Sequence, residues 1–296
     1  MGDSDQSGAS MEIVDAHHHF WDPARNYHPW LRDEPPIPFR YGDYNAIRRR
    51  YLHEQYLADA HGYAVVGSVY VETEWDPRDP VGEMTYVAEL RQKGLPSVAV
   101  GQAWLDRADA GKVLERLSGF DFVRSVRHKP RPGDMLTATR WRKGFALLAR
   151  RLGRFDLQTP WADLGDAAKL ARDFPGIMIF LNHTGLPADR SPEGLAGWRK
   201  AMAAMAAQSN VAVKISGLGI PGVGWTAADN RWIVLTAIEL FGVERCMFAS
   251  NFPVDSLCGS FDDIYRGFAA IVADFSETER HSLFAGNARR LYAIGG

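Results

Sequence analysis

The sequence holds only two cysteines in 296 residues, Cys246 and Cys258. That excludes a disulfide framework, and Cys246, set in an apolar run, reads as a small core residue. No apolar run approaches the roughly 18 residues a membrane span needs, so no membrane partner is expected. Basic excess is missing as well. The 34 Lys and Arg face 36 Asp and Glu, a formal net charge of −2, which gives no electrostatic reason to expect nucleic acid. The run Arg48-Arg49-Arg50 falls in a helical pattern and reads as a solvated face. Residues 1–10 are polar, with no basic n-region and no apolar h-region, the pattern of a disordered lead to a cytoplasmic protein rather than a secretion signal. No Ser/Gly-rich linker divides the chain. No Gly-rich phosphate fingerprint follows the first strand candidate, which argues against a dinucleotide-binding sheet.

Hydrophobic residues make up 46% of the chain, enough for a large core. Eight runs rich in β-branched and aromatic residues read as strands: 12–20, 63–73, 97–105, 122–128, 155–159, 177–183, 211–218 and 246–251. They are mostly apolar, as in strands buried on both faces. Helical spacing marks 43–61, 79–93, 140–151, 163–174, 192–208, 227–241 and 262–275, with Gly62 and Gly94 as stops. Strand alternating with helix eight times over this length predicts an α/β fold, a (β/α)8 TIM barrel forming a single domain over 11–296. The segment 21–41 has five prolines and several aromatics but neither period. It is expected to be a long first βα loop covering the active site.

In such a barrel the reactive groups stand at the C-terminal strand ends. His17 and His19 are two apart on one strand, so they share a face, while His18 points the other way. Two neutral imidazoles converging in this way make half of a site for one divalent ion, Zn or Mn, or a hydrogen-bonded polar pair. His183, at the exit of another apolar strand and just before Gly185, completes a candidate trio. Lys214 is a lone charge in an apolar strand and is expected to face the mouth or to pair with Glu72 or Glu74, because a buried lysine needs a partner. Arg127 and His128 make a cationic pair suited to clamping a substrate carboxylate. Trp21 is expected to close the pocket.

The segments VDAHHHFWDP, VYVETEWDP, LNHTGLP, VKISGL and MFASNFPVD, in this order from Ile13 to Ala293, resemble the amidohydrolase-related barrel hydrolases. The branch they are most similar to contains the L-fucono-, L-rhamnono- and 4-sulfomuconolactonases. The resemblance implies opening of a small lactone, with His17, His19 and His183 facing the substrate. It also implies a general-base Asp at the end of strand eight, where this chain has Asn251. An amide cannot take up a proton in that way, so either Asp255 substitutes, or Asn251 only positions the water and one of the histidines is the base. Relatives of this kind include both metal-dependent and metal-free members, so one metal on the three histidines and none both remain open, and no organic cofactor is implied. The expected partner is a small molecule, with a homo-oligomer also open. The rival readings are a Zn-dependent decarboxylase of the same fold and a sugar-acid-binding barrel without catalysis.

Overall fold

The computed structural model describes residues 11–129 and 135–295; the lead expected over residues 1–10 lies outside them. Eight strands form one sheet in chain order, every neighbouring pair parallel. They are β1 (Met11–His18), β2 (Tyr63–Val71), β3 (Val98–Gln102), β4 (Val123–Arg127), β5 (Arg154–Leu157), β6 (Met178–Leu181), β7 (Val211–Ile215) and β8 (Cys246–Phe248). The ends of the sheet meet where Asn251 N donates to His17 O and His19 N donates to Phe252 O, both at 2.8 Å. Strands alternate with helices, so the chain is a single-domain (β/α)8 TIM barrel. Among the described residues no helix is long and apolar enough to cross a membrane.

Parallel strands buried on both faces need two cores, and the side chains divide accordingly. Val14, Val69, Val71, Val98, Val100, Phe180 and Met247 pack in an inner cluster. Tyr292 completes it, stacking on Phe180 at 4.2 Å between ring centroids. Each such fully buried large side chain contributes about 1.5–3 kcal/mol of transfer free energy. The larger cluster joins the outer faces of the strands to the apolar stripes of the helices. Helix starts follow local chemistry: Ser260 and Asp263 form a capping box, and Thr226 accepts from Asp229 N.

Two helix expectations need correction. The span 43–61 is not one helix. A single 3-10 turn, Asn45–Ile47, precedes the helix His53–Asp59. Between them Tyr51 exchanges two backbone hydrogen bonds with Trp21, each 2.9 Å, and that pairing holds the intervening chain extended. Arg48 consequently leaves the expected solvated helix face, donates to Leu31 O at 3.0 Å and pairs with Glu34 at 2.7 Å. It ties down the first βα loop, which therefore runs on to Leu52. Conversely, the expected set lacks a helix between β3 and β4. Ala110–Ser118 is helical there, burying Ala110, Val113, Leu114 and Leu117, a stripe of period 3.6.

Candidate active site

The two paired histidines owe their direction to a β-bulge. On β1, Val14 and Ala16 belong to the inner cluster, so strict alternation would aim His18 inward. The pairing shifts instead between Asp15 and His18 opposite Ser68 and Tyr70 of β2, and the extra residue reverses the parity. His17 and His19 then face the barrel mouth. His18 points to the helices, where its Nε2 meets Ser68 Oγ at 2.9 Å and its ring packs on Phe20 and Tyr56. Asp15 locks the bulge. It accepts from Ser250 N and Oγ, Tyr56 OH and His17 N at 2.6–3.2 Å, leaving it no free valence for substrate.

His17 is fully buried beneath the mouth. Its ring lies 5.0 Å from that of His19 and 4.5 Å from that of His183, and neither of its ring nitrogens has a hydrogen-bond partner. His19 Nδ1 meets Val71 O at 2.8 Å. A carbonyl only accepts, so Nδ1 carries the proton and the Nε2 lone pair is left free. His183 Nδ1 lies 3.0 Å from Ser216 Oγ. Burial depresses all three imidazoles well below the ordinary range. Next in size come His183 for His17, Arg127 for His19 and Arg40 for His183. All three are neutral at pH 7. His183 and Thr184 adopt left-handed backbone at φ 54° and 53°, as do Glu74 and Asn251 at 54° and 55°. Each such residue costs of order 1–3 kcal/mol, and this kind of strain gathers at functional sites. Gly217, at φ +65°, makes room for the arrangement: a Cβ there would lie 2.8 Å from His183 Cβ and 3.0 Å from an Arg40 nitrogen.

Over these groups lies a cavity of about 230 Å³. His19, His183, Asn251, Glu72, Arg127 and Trp21 line it, as do Arg40, Trp30 and Phe39 from the first βα loop. Trp21 is held by Nε1 hydrogen bonds to Ile47 O and Arg49 O and stacks over His19 at 5.9 Å. Arg127 donates to the Glu72 carboxylate, to Glu72 O at 2.7 Å and to Gln158 Oε1 at 2.8 Å. Lys129 is paired with Glu74. Arg40 is less engaged, with one contact of 3.3 Å to Asp255 and its ring-plane neighbour Tyr41 at 4.4 Å.

Other expected residues stand elsewhere. His128 does not join Arg127 as a clamp: its Nδ1 accepts from Leu105 N and Trp141 Nε1, both at 3.1 Å, and it borders a neighbouring cavity instead. Lys214 pairs with neither Glu72 nor Glu74. It is fully buried against Asp156 at 2.6 Å, and Tyr292 OH donates to the same carboxylate at 2.8 Å; this ion pair lies below the site. Asp255 sits behind Asn251. It accepts from Asn251 Nδ2 (2.7 Å), Tyr41 OH (2.9 Å), Arg40 and Gly217 N (3.0 Å). Burial pushes its carboxyl up, against the opposing effect of Arg40. With three donors on Oδ1 and no share in the cavity wall, it is placed to orient Asn251, not to receive a proton from water. Sequence reasoning missed Arg40 and Asp156. The lone Asp in the apolar run FDLQT signals the latter, whereas nothing local marks Arg40.

The family model named amidohydrolase matches residues 14–294. The chain belongs to the amidohydrolase family. An uncharacterized protein of Sinorhizobium fredii is 40% identical over 97% of this chain and all of its own length. An L-fucono-1,5-lactonase of Burkholderia multivorans is 27% identical, covering 95% of this amidohydrolase and 96% of the relative. A solved amidohydrolase of Burkholderia multivorans with bound zinc superposes with a TM-score of 0.81 at 26% identity, over 96% of this chain and 99% of that one.

The family raises the question of a metal on His17, His19 and His183. Neutral imidazoles anchored through Nδ1, as His19 and His183 are, suit metal ligation chemically. The grouping does not. Among the described residues no three His, Cys, Asp or Glu side chains are arranged to hold a metal ion. Strand eight supplies the neutral Asn251 in place of a carboxylate, and Arg40, Arg127 and Lys214 bear on the imidazoles as positive charges. These amidohydrolase residues thus do not assemble a three-ligand centre.

Proposed function

We propose that this amidohydrolase opens a small anionic lactone by attack of a water held between His19 and Asn251. The observation that carries the reading is the pair of acceptors with fixed orientation at one cavity wall. The Val71 carbonyl leaves His19 Nε2 unprotonated. The Asp255 carboxylate takes the Asn251 NH2, which leaves the Asn251 carbonyl oxygen to face the cavity. A water donating to both has its own lone pair free for the lactone carbonyl. As the bond forms, His19 Nε2 takes the water proton. The carbonyl oxygen becomes an oxyanion, stabilised by the remaining Arg127 N–H groups, a contribution of about 3–4 kcal/mol per donor in comparable sites. Collapse breaks the ring C–O bond, and His19 returns its proton to the departing alkoxide. An imidazolium beside Arg127 is disfavoured, so the proton is handed on readily. Arg40 replaces the expected Arg127–His128 clamp as the group that holds the substrate carboxylate, and the first βα loop closes over it. The lactonase relative supports lactone as the substrate class.

The test is a pH-indicator assay of the purified protein over five- and six-membered sugar-acid lactones, repeated with His19→Asn. Turnover reduced about 10²- to 10⁴-fold in the variant is expected for loss of a general base. Unchanged turnover would remove His19 from the mechanism.

A further inference from the structure

A second cavity, of about 380 Å³, adjoins the first and shares Trp30, Ile37, Glu74 and Lys129 as walls. Its own lining includes Trp75, Trp104 and Gln102, and three features of it point to a ligand. The inner cavity, at about 230 Å³, falls short of the roughly 300 Å³ at which small-molecule sites usually begin, whereas the two chambers taken together do not. Three indoles stand around the outer chamber on rigid supports. Trp30 donates Nε1 to Thr73 O at 2.8 Å and stacks on Phe39 with 4° between planes. Trp75 packs edge-on against His28 at 5.1 Å, and Trp104 lies under Arg107 at 5.2 Å. Such fixed aromatic faces favour a flat or ring-shaped guest. Finally, Gln102 is 8% exposed, yet its Oε1 has no hydrogen-bond partner. A buried amide oxygen left so is costly, and a hydroxyl donor would satisfy it.

We propose that the outer chamber is a subsite for a hydroxyl-bearing ring carried at the far end of the substrate. The substrate is then an anionic head in the inner cavity joined to a hydroxylated ring against the tryptophans, with the linkage crossing the Lys129–Glu74 ion pair. Both members of that pair are about one-third exposed, at 36% and 35%, and both border the two chambers. The identity of the head as a lactone rests on the function proposed above; the ring subsite rests on its own walls.

Calorimetric binding of two matched pairs of acids tests the subsite. Gluconate is compared with lactobionate, which is gluconate bearing a galactosyl ring. Butyrate is compared with 4-(4-hydroxyphenyl)butyrate. Each pair is measured on the wild-type protein, on Trp104→Ala and on Gln102→Met, residues that do not line the catalytic cavity. The ring-bearing member of at least one pair is expected to bind about tenfold tighter. Both substitutions should remove that gain and leave the bare acid unchanged, and the pair that shows it tells a glycosyl from a hydroxyaryl source. No gain in either pair, or a gain that survives both substitutions, overturns the proposal. Lactone hydrolysis, assayed separately, distinguishes the two readings. Ring-dependent binding without hydrolysis keeps the subsite and removes the lactone, and hydrolysis without a ring gain does the reverse.

Discussion

Replacing Asp255 with Asn separates a positioning carboxylate from a catalytic base. In the structure Oδ1 receives Asn251 Nδ2, Tyr41 OH and Arg40, and Oδ2 receives Gly217 N. An asparagine that keeps its oxygen on the crowded side retains three of these donors but turns its own NH2 toward the Gly217 N–H. One buried donor is then orphaned, at a cost of about 1–3 kcal/mol, and the retained hydrogen bonds lose their charge assistance, roughly another 1 kcal/mol. Urea denaturation should therefore show Asp255→Asn destabilised by about 2–4 kcal/mol with an unchanged m-value. Asn251 loses its orienting partner and Arg40 its anchor, so kcat/KM should fall tenfold or more. The shape of the kcat/KM–pH profile is the deciding readout. With His19 as the proposed base, held neutral well below the ordinary imidazole range by burial and then by Arg127, the profile should stay level between pH 8 and pH 6 in both proteins, lower in the variant. A limb present in the wild type and abolished in Asp255→Asn would show that Asp255 itself exchanges the proton, and the mechanism above would be wrong.

Arg40→Met should raise KM ten- to hundredfold for lactones carrying a carboxylate, the loss of one charge-assisted contact of about 1.5–3 kcal/mol, and leave neutral lactones unaffected; steady-state kinetics on matched substrates checks it, and equal effects on both would remove the clamp. Elemental analysis of protein dialysed against a strong chelator should find substoichiometric zinc and manganese with lactone hydrolysis retained, since the histidines form no three-ligand group; activity lost on dialysis and restored by one equivalent of zinc would contradict that. Glu83 is fully buried, and burial followed by the neighbouring Glu72 pushes its carboxyl up to about 8. Its Oε1 accepts from Tyr70 OH, Thr73 N and Thr73 Oγ1, while Oε2 has no partner. Unfolding then releases a proton between the ordinary glutamate value and pH 8, so this stabilisation is full in acid and is lost as pH rises through that window. Glu83→Gln keeps the three accepted bonds. It should match the wild type at pH 4 and exceed its stability increasingly toward pH 8, by up to about 1.4 kcal/mol per pH unit in thermal or urea melts; a constant difference across that range would show that Glu83 is ionised in the folded protein.

The barrel was legible because its signals are periodic and local. Apolar runs of strand length at regular intervals, each followed by a helical stripe, leave few alternatives to a closed parallel sheet. The histidines were legible for the same reason, as strand-end residues, although their direction was not. Period-two alternation puts His17 and His19 on one face but does not say which face, and Val14 and Ala16 would have chosen the wrong one. A bulge fixed by Asp15, Ser250 and Tyr56 decides it, and Ser250 reaches Asp15 only through the closure of β1 against β8. Partners of buried charge were illegible in the same sense. Lys214 and Asp156 lie 58 positions apart on neighbouring-but-one strands, and nothing in either run names the other. Arg40 was hidden further still, since its value depends on a loop tied down by Arg48 and on a glycine, Gly217, that leaves room beside His183.

The same dependence explains why Asn251 need not mark a defective site. A strand-eight carboxylate would sit where Asn251 already donates to Asp255, placing two buried negative charges on one hydrogen bond, and one would stay protonated. With an amide in that place, the negative charge stays behind the wall, tied to Arg40, and the cavity is presented with a neutral acceptor. An anionic substrate then meets no fixed negative charge at the attacking water. The departure from the family pattern and the proposed anionic substrate are thus two sides of one electrostatic arrangement.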